Sequence, residues 1–136
     1  MKKQTLLILL SLAIVTLIMA GCNSTSTLPA TNHSLTLTDY EFTPSTLTVP
    51  AGEEITLKLV NESTVNHQWV LMFKPVELPF DDDDKDNVLF AAEVESGKSI
   101  TVTFTAPLAA GEYQFVCTNP GHLEAGMAGK LVVVQP

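Results

Sequence analysis

From Leu35 onward the chain alternates between apolar and polar residues. Leu35 and Leu37 interleave with Thr36 and Thr38, Leu47 and Val49 with Thr46 and Thr48, and Ile55, Leu57 and Leu59 with Thr56 and Lys58. Val65, His67, Trp69 and Leu71 recur at the same spacing. Ile100, Val102 and Phe104 alternate with threonines, Tyr113, Phe115 and Cys117 form a further series, and Leu131 to Val134 closes the pattern. A period of two in β-branched and aromatic residues marks strands with one face buried, and Pro50-Ala51-Gly52 supplies a turn between two of them. The pattern predicts an all-β fold of seven or eight strands, an antiparallel sandwich or barrel. Residues 74–95 do not alternate. Pro75, Pro79, an acidic run and then Asn87 to Ala92 predict an excursion between strands, with one short helix after Asp86.

The N-terminus follows a different rule. Lys2 and Lys3 precede an uninterrupted run from Leu6 to Ala20 whose only hydroxyls are Ser11 and Thr16. A spanning helix needs about 20 apolar residues, so this shorter run reads as the core of an export signal, residues 1–21. Its end, Met19-Ala20-Gly21-Cys22, resembles the bacterial lipobox, with Met19 standing where leucine is usual. That resemblance implies cleavage before Cys22 and attachment of lipid to its sulfur. Asn23 to Ser34 is rich in Ser, Thr and Asn and is expected to be the rest of a flexible tether, 22–34, with His33 as a solvated histidine within it. The domain proper is expected at 35–136.

Composition narrows the partners. Seven lysines, no arginine and fifteen carboxylates give a formal charge of −8 over 136 residues, which excludes a phosphate-binding face and therefore nucleic acid. Removing the leader leaves five lysines against fifteen acids, or −10. There are no repeats, no glycine-rich phosphate loop and no nucleophile elbow. Five carboxylates in Asp81-Asp82-Asp83-Asp84-Lys85-Asp86 form a solvated loop, a steering patch for a basic redox partner, or a calcium site; the last lacks the glycine and terminal glutamate of an EF-hand.

After the leader, Cys117 is the one thiol left to the folded domain. It heads Cys117-Thr118-Asn119-Pro120-Gly121-His122-Leu123-Glu124-Ala125-Gly126-Met127, a Cys-x4-His-x4-Met spacing, and His67 lies far upstream on another strand. Singly, each has a plain reading: a core cysteine, a hydrogen-bonded core histidine, a packing methionine. Together a thiolate, two imidazoles and a weak thioether make a donor set for copper, serving both of its oxidation states. Structural zinc sites rarely use methionine. Pro120-Gly121 can turn His122 back toward Cys117, and Ala125-Gly126 leaves room for Met127 to return.

On these residues the chain resembles the cupredoxins, the small blue copper proteins. The resemblance rests on His67 within Asn66-His67-Gln68-Trp69-Val70, on Cys117, His122 and Met127, and on the final strand Gly129 to Val134; it covers nearly all of residues 35–136. The spacing is most similar to auracyanin; azurin is one residue shorter between histidine and methionine, and plastocyanin shorter between cysteine and histidine. The resemblance implies an eight-stranded Greek-key sandwich and one-electron transfer. It also implies one type 1 copper per chain, with His67, Cys117 and His122 as equatorial ligands and Met127 as the axial one. The edge of His122 is expected at the surface, in an apolar patch of Pro120, Gly121, Leu123, Ala125 and Ala128. Many cupredoxins place asparagine after the first histidine. Gln68 stands there instead, so a weakened side-chain tie is expected, with backbone N–H groups of Gln68 and Asn119 still reaching the sulfur.

The expected protein is a monomeric lipoprotein outside the cytoplasmic membrane, in the periplasm or on the cell surface. It would carry electrons between redox partners such as cytochromes or membrane oxidoreductases, without being an enzyme. A copper carrier or storage lipoprotein is the alternative from another class, although the chain lacks the Met- or His-rich runs of carriers. A metal-free binding sandwich is the third reading, and it leaves the four-residue spacing unexplained.

Overall fold

The computed structural model describes residues 28–136. The expected leader, the lipidation of Cys22 and most of the expected tether lie outside the described residues. Nine strands follow in order: β1 (Asn32–Thr38), β2 (Glu41–Thr43), β3 (Thr46–Pro50), β4 (Glu54–Asn61), β5 (His67–Met72), β6 (Val88–Val94), β7 (Ser99–Thr105), β8 (Gly111–Val116) and β9 (Ala128–Val134). They form a four-stranded sheet, β2-β1-β4-β7, against a five-stranded sheet, β3-β9-β8-β5-β6. The all-β sandwich is as the alternation predicts. Two strands lie outside the seven alternating series: β2, whose three residues bury only Phe42 and leave no period to detect, and β6, whose exposed positions Leu89 and Ala91 are apolar and hide the alternation in its burial.

Two neighbouring pairs, β1 with β4 and β3 with β9, are parallel rather than antiparallel. The chain leaves the first sheet after β2, crosses to the second as β3 and returns as β4, so β4 arrives beside β1 running the same way. Alternation reports which face is buried, not strand direction, and could not show this. The expected tether is also corrected at its end. Asn32 to Ser34 pair with Thr56 to Lys58 as part of β1, and His33, half-buried, lies 2.8 Å through Nε2 from the Ala30 carbonyl. Backbone pairing does not depend on side-chain polarity, so a strand can begin in a polar sequence.

The alternating residues meet between the sheets. Leu35, Leu37, Ile55, Leu57 and Leu59 of the first sheet pack against Trp69, Leu71, Phe115 and Leu131 of the second. Trp69 lies at the centre, with ring centroids 5.3 Å from Phe104, 5.6 Å from Phe115 and 6.1 Å from Phe90. Gly129 is required by this packing. A Cβ there would run into the Phe115 ring and come within 2.7 Å of the Ser45 carbonyl oxygen.

The excursion after β5 covers the outer face of the second sheet. Val70, Met72, Val116 and Leu123 form a second apolar cluster under Val76 and Phe80. Polar bonds pin this cover: the Val76 N–H donates to the Gln114 side chain at 2.8 Å, and Lys74 and Asn87 exchange bonds at 3.0 Å. β5 is thus buried on both faces, which explains its nearly continuous apolar run. The one helix of the excursion is the 3₁₀ turn Asp82–Asn87, built from the acidic run itself; the residues after Asp86 form β6. Asp81 caps that turn by accepting from Asp83 N–H, while Asp84 accepts from the Asp81 N–H. The acidic run therefore specifies local structure as well as carrying charge.

Candidate metal centre

His67 opens β5, and Cys117 follows the last residue of the neighbouring β8, so both stand at one end of the second sheet. Cys117 heads the loop to β9, which folds back on itself. The His122 N–H donates to Asn119 at 3.0 Å, the Ala125 N–H to Gly121 at 3.1 Å, and the Gly126 N–H to Leu123 at 2.9 Å. Gly121 and Gly126 make the two bends at φ +82° and +100°, backbone that side chains with a Cβ rarely adopt. Met127 closes the loop: its N–H donates to the His122 carbonyl and its carbonyl accepts from the Cys117 N–H.

Three donors converge. Cys117 Sγ lies 3.8 Å from His67 Nδ1 and 3.4 Å from His122 Nδ1, and all three atoms fall within 4.8 Å of one another. The two rings stand 5.0 Å apart at 58°. Cys117, His67 and Met127 are completely buried, while His122 keeps an exposed part. Met127 lies in the same core cluster as Cys117. Among the described residues, this is the one such cluster of metal-ligating groups.

The spacing fits an ion at the centre of the triangle. Donors held at about 2.1 Å around one ion in a plane are about 3.6 Å apart, between the two observed sulfur–nitrogen distances. The electrostatics fit as well. Burial lowers the pKa of His67, and the neighbouring His122 lowers it further against the opposing pull of Asp39. Burial raises the Cys117 thiol, opposed by the N–H groups of Gln68 and Asn119. At neutral pH burial therefore favours the neutral imidazole of His67 and the neutral thiol of Cys117. A cation that binds there must release the thiol proton. Sulfur, two imidazoles and a buried methionine favour copper over zinc.

The surroundings hold this geometry. The Gln68 N–H donates to the sulfur at 3.4 Å, and the Asn119 N–H also favours the ionised sulfur. The weakened side-chain tie is corrected: Gln68 Oε1 accepts from the Thr118 hydroxyl, its extra methylene spanning the gap. A second tie runs from Asn119 Nδ2 to the Asn66 carbonyl at 2.6 Å. The expected apolar patch also changes. Pro120, Gly121 and Ala125 are exposed beside His122, but Leu123 turns inward to the second cluster. Tyr40, from the turn between β1 and β2, takes a place at the surface instead, edge-on to His122 at 5.3 Å. The sequence carries no sign of Tyr40 or its neighbour Asp39 beyond a two-residue break in the alternation, because their role is set by the hairpin's position.

A two-sheet β-sandwich that brings one thiol and two imidazoles together at one end, over a buried methionine, defines a cupredoxin. The cupredoxin-like domain family matches residues 9–133, and the chain belongs to it. Among characterised relatives, Auracyanin-A of Chloroflexus aurantiacus is 36% identical over 116 residues, 70% of this chain and 68% of that protein. The copper-resistant cuproprotein CopI of Rubrivivax gelatinosus is 35% identical over 100 residues, 68% of this chain and 59% of that one. The crystal structure of reduced auracyanin from the photosynthetic bacterium Roseiflexus castenholzii superimposes with a TM-score of 0.67 at 29% identity, covering 78% of this chain and 98% of that chain.

Proposed function

We propose that this protein is a type 1 copper electron carrier, with His67, Cys117 and His122 as equatorial ligands of one copper ion and Met127 as the axial one. The observation that carries the reading is the triangle of Cys117 Sγ with two imidazole Nδ1 atoms, 3.8 and 3.4 Å from the sulfur, in a core that burial keeps dry. Bound copper would supply one-electron chemistry by alternating between its two oxidation states. The chain's own residues do the rest. His67 and Cys117 are fixed by the sheet, Gln68 and Asn119 stabilise the thiolate through their N–H groups, and the tightly bonded loop restricts His122 and Met127. A site that cannot relax needs little reorganisation when an electron leaves, and the exposed part of His122 gives a short way out.

The same reading has the protein outside the cytoplasmic membrane, anchored through a lipid on Cys22. It passes electrons between protein partners such as cytochromes or membrane oxidoreductases and has no catalytic activity of its own. Residues 22–31 then act as the tether, with β1 beginning at Asn32. Among the described residues, no helix is long and apolar enough to cross a membrane. The similarity to a cuproprotein of copper resistance supports a second reading, delivery or storage of copper itself.

One spectrum separates the two. The oxidised copper form of an electron carrier shows an intense thiolate-to-copper band giving a blue or green colour, and Cys117→Ser abolishes it. A colourless copper(II) form that gives up its metal readily to a chelator would overturn electron transfer in favour of delivery. Labelling with a lipid precursor tests the anchor: label in the wild type that is lost in Cys22→Ser is expected, and equal labelling would reject it.

A further inference from the structure

His67 Nδ1 faces the sulfur and the proposed copper, so in the metal-holding tautomer the ring proton is on Nε2. That nitrogen is completely buried and makes no bond shorter than the hydrogen-bond limit. A buried N–H without an acceptor costs stability, and a metal-bound imidazole, drained of electron density, is a stronger donor still. One charged group is in reach. Asp39 Oδ1 lies 3.7 Å from His67 Nε2, and the side chain of Asp39 is 63% exposed while that of His67 is fully enclosed.

The turn that carries Asp39 is held in an unusual shape. Its second residue, Tyr40, sits at φ +66°, the left-handed region that a bulky residue rarely enters. There its ring stands edge-on to His122 at 78°. Two consecutive residues of one hairpin thus address the two imidazoles of the site. The conformation that brings Tyr40 to His122 also brings Asp39 to His67.

We propose that Asp39 is the positioning residue for His67: its carboxylate receives the Nε2–H of the buried imidazole and sets the reduction potential of the copper site. This rests on the copper reading given above. A negative charge behind the ligand favours the more positive oxidation state and so lowers the potential. The carboxylate's exposure to solvent screens it, so the effect is modest rather than large.

The test uses the full chain loaded with copper, and separately with zinc. Asp39→Asn and Asp39→Ala are expected to move the midpoint to more positive values, so that at a fixed ambient potential the ratio of reduced to oxidised protein rises at least about threefold. Glu41→Gln removes a charge from the same hairpin at an exposed residue of β2 paired with Thr38, and is expected to move it less than half as far. An unchanged midpoint in both Asp39 variants, or an equal shift in Glu41→Gln, would overturn the proposal. In the zinc form, nitrogen-resolved NMR should show a slowly exchanging Nε2 proton on His67 that exchanges faster in Asp39→Ala; the same exchange in both proteins would also overturn it. Should the wild type show no thiolate-to-copper band, the copper reading fails, and the zinc measurement still decides whether Asp39 holds His67.

Discussion

Gln68 serves the site in two separable ways. Its N–H bonds the Cys117 sulfur, a property of the backbone that any residue but proline would keep, whereas its side chain ties β5 to the loop through Thr118. We therefore predict that Gln68→Ala keeps the copper absorption band but lowers stability by about 1 kcal/mol, the worth of one ordinary hydrogen bond, measured by denaturant unfolding of the copper-free protein. Gly129 is the opposite case, a residue whose whole contribution is the absence of a side chain. Its Cβ would meet the Phe115 ring on one side and the Ser45 carbonyl on the other. Gly129→Ala should cost about 1–3 kcal/mol by overpacking, read in the same experiment.

At the scale of elements, the ligand loop is held from below as well as from within. Leu123, one residue after His122, is buried against Val70, Met72 and Val116 on the outer face of the second sheet. The cover formed by residues 74–87 keeps that face dry. Leu123→Ala removes the plug and should cost about 2–5 kcal/mol. It should also broaden the electron paramagnetic resonance of the copper form, because His122 then loses its fixed approach. An unbroadened signal at reduced stability would assign Leu123 to packing alone.

Across the whole molecule, the acidic run and the metal centre lie at opposite ends of β5. His67 begins β5, and Met72 ends it beside Val88, where the acidic turn joins β6. Five residues of strand place the acidic run about 17 Å from the site, beyond the screening length of about 8 Å at physiological salt. Replacing Asp81 to Asp84 by asparagine should therefore change association with a basic partner at the His122 end by less than about twofold at physiological salt. The change should be larger at low salt, where screening extends to about 30 Å. Stopped-flow rates across ionic strength test this.

The pH dependence of the metal-free protein is likewise a property of the folded molecule. His67 binds its proton less tightly folded than at the ordinary value of 6.5. Below that pH the unfolded chain takes up the extra proton, and stability falls as the solution is acidified. Cys117 holds its proton above the ordinary 9.0. Above that pH the unfolded chain releases its proton first, and stability falls again. Thermal unfolding of the copper-free protein should thus weaken on both sides, and the acid limb should shrink in His67→Gln.

The period of two between Leu35 and Val134 was enough to read seven of the nine strands, because a half-buried strand must alternate; β2 is too short and β6 too uniformly apolar to show it. The spacing of Cys117, His122 and Met127 was enough to read the donors, because a short loop brings its own ends together whatever surrounds it. His67 was legible as a candidate donor from its type and its strand, but its pairing with Cys117 rested on likeness to a family, since nothing local joins residues 50 positions apart. The parallel pairings, the cover over β5 and the inward turn of Leu123 depend on how separate segments pack, and alternation is silent on that. The same holds for Asp39 and Tyr40, two turn residues of ordinary appearance in the chain. They reach the imidazoles only because the packing of the two sheets brings the β1–β2 turn to the end of the second sheet that carries the site, a placement made by long-range contacts and not by any local preference.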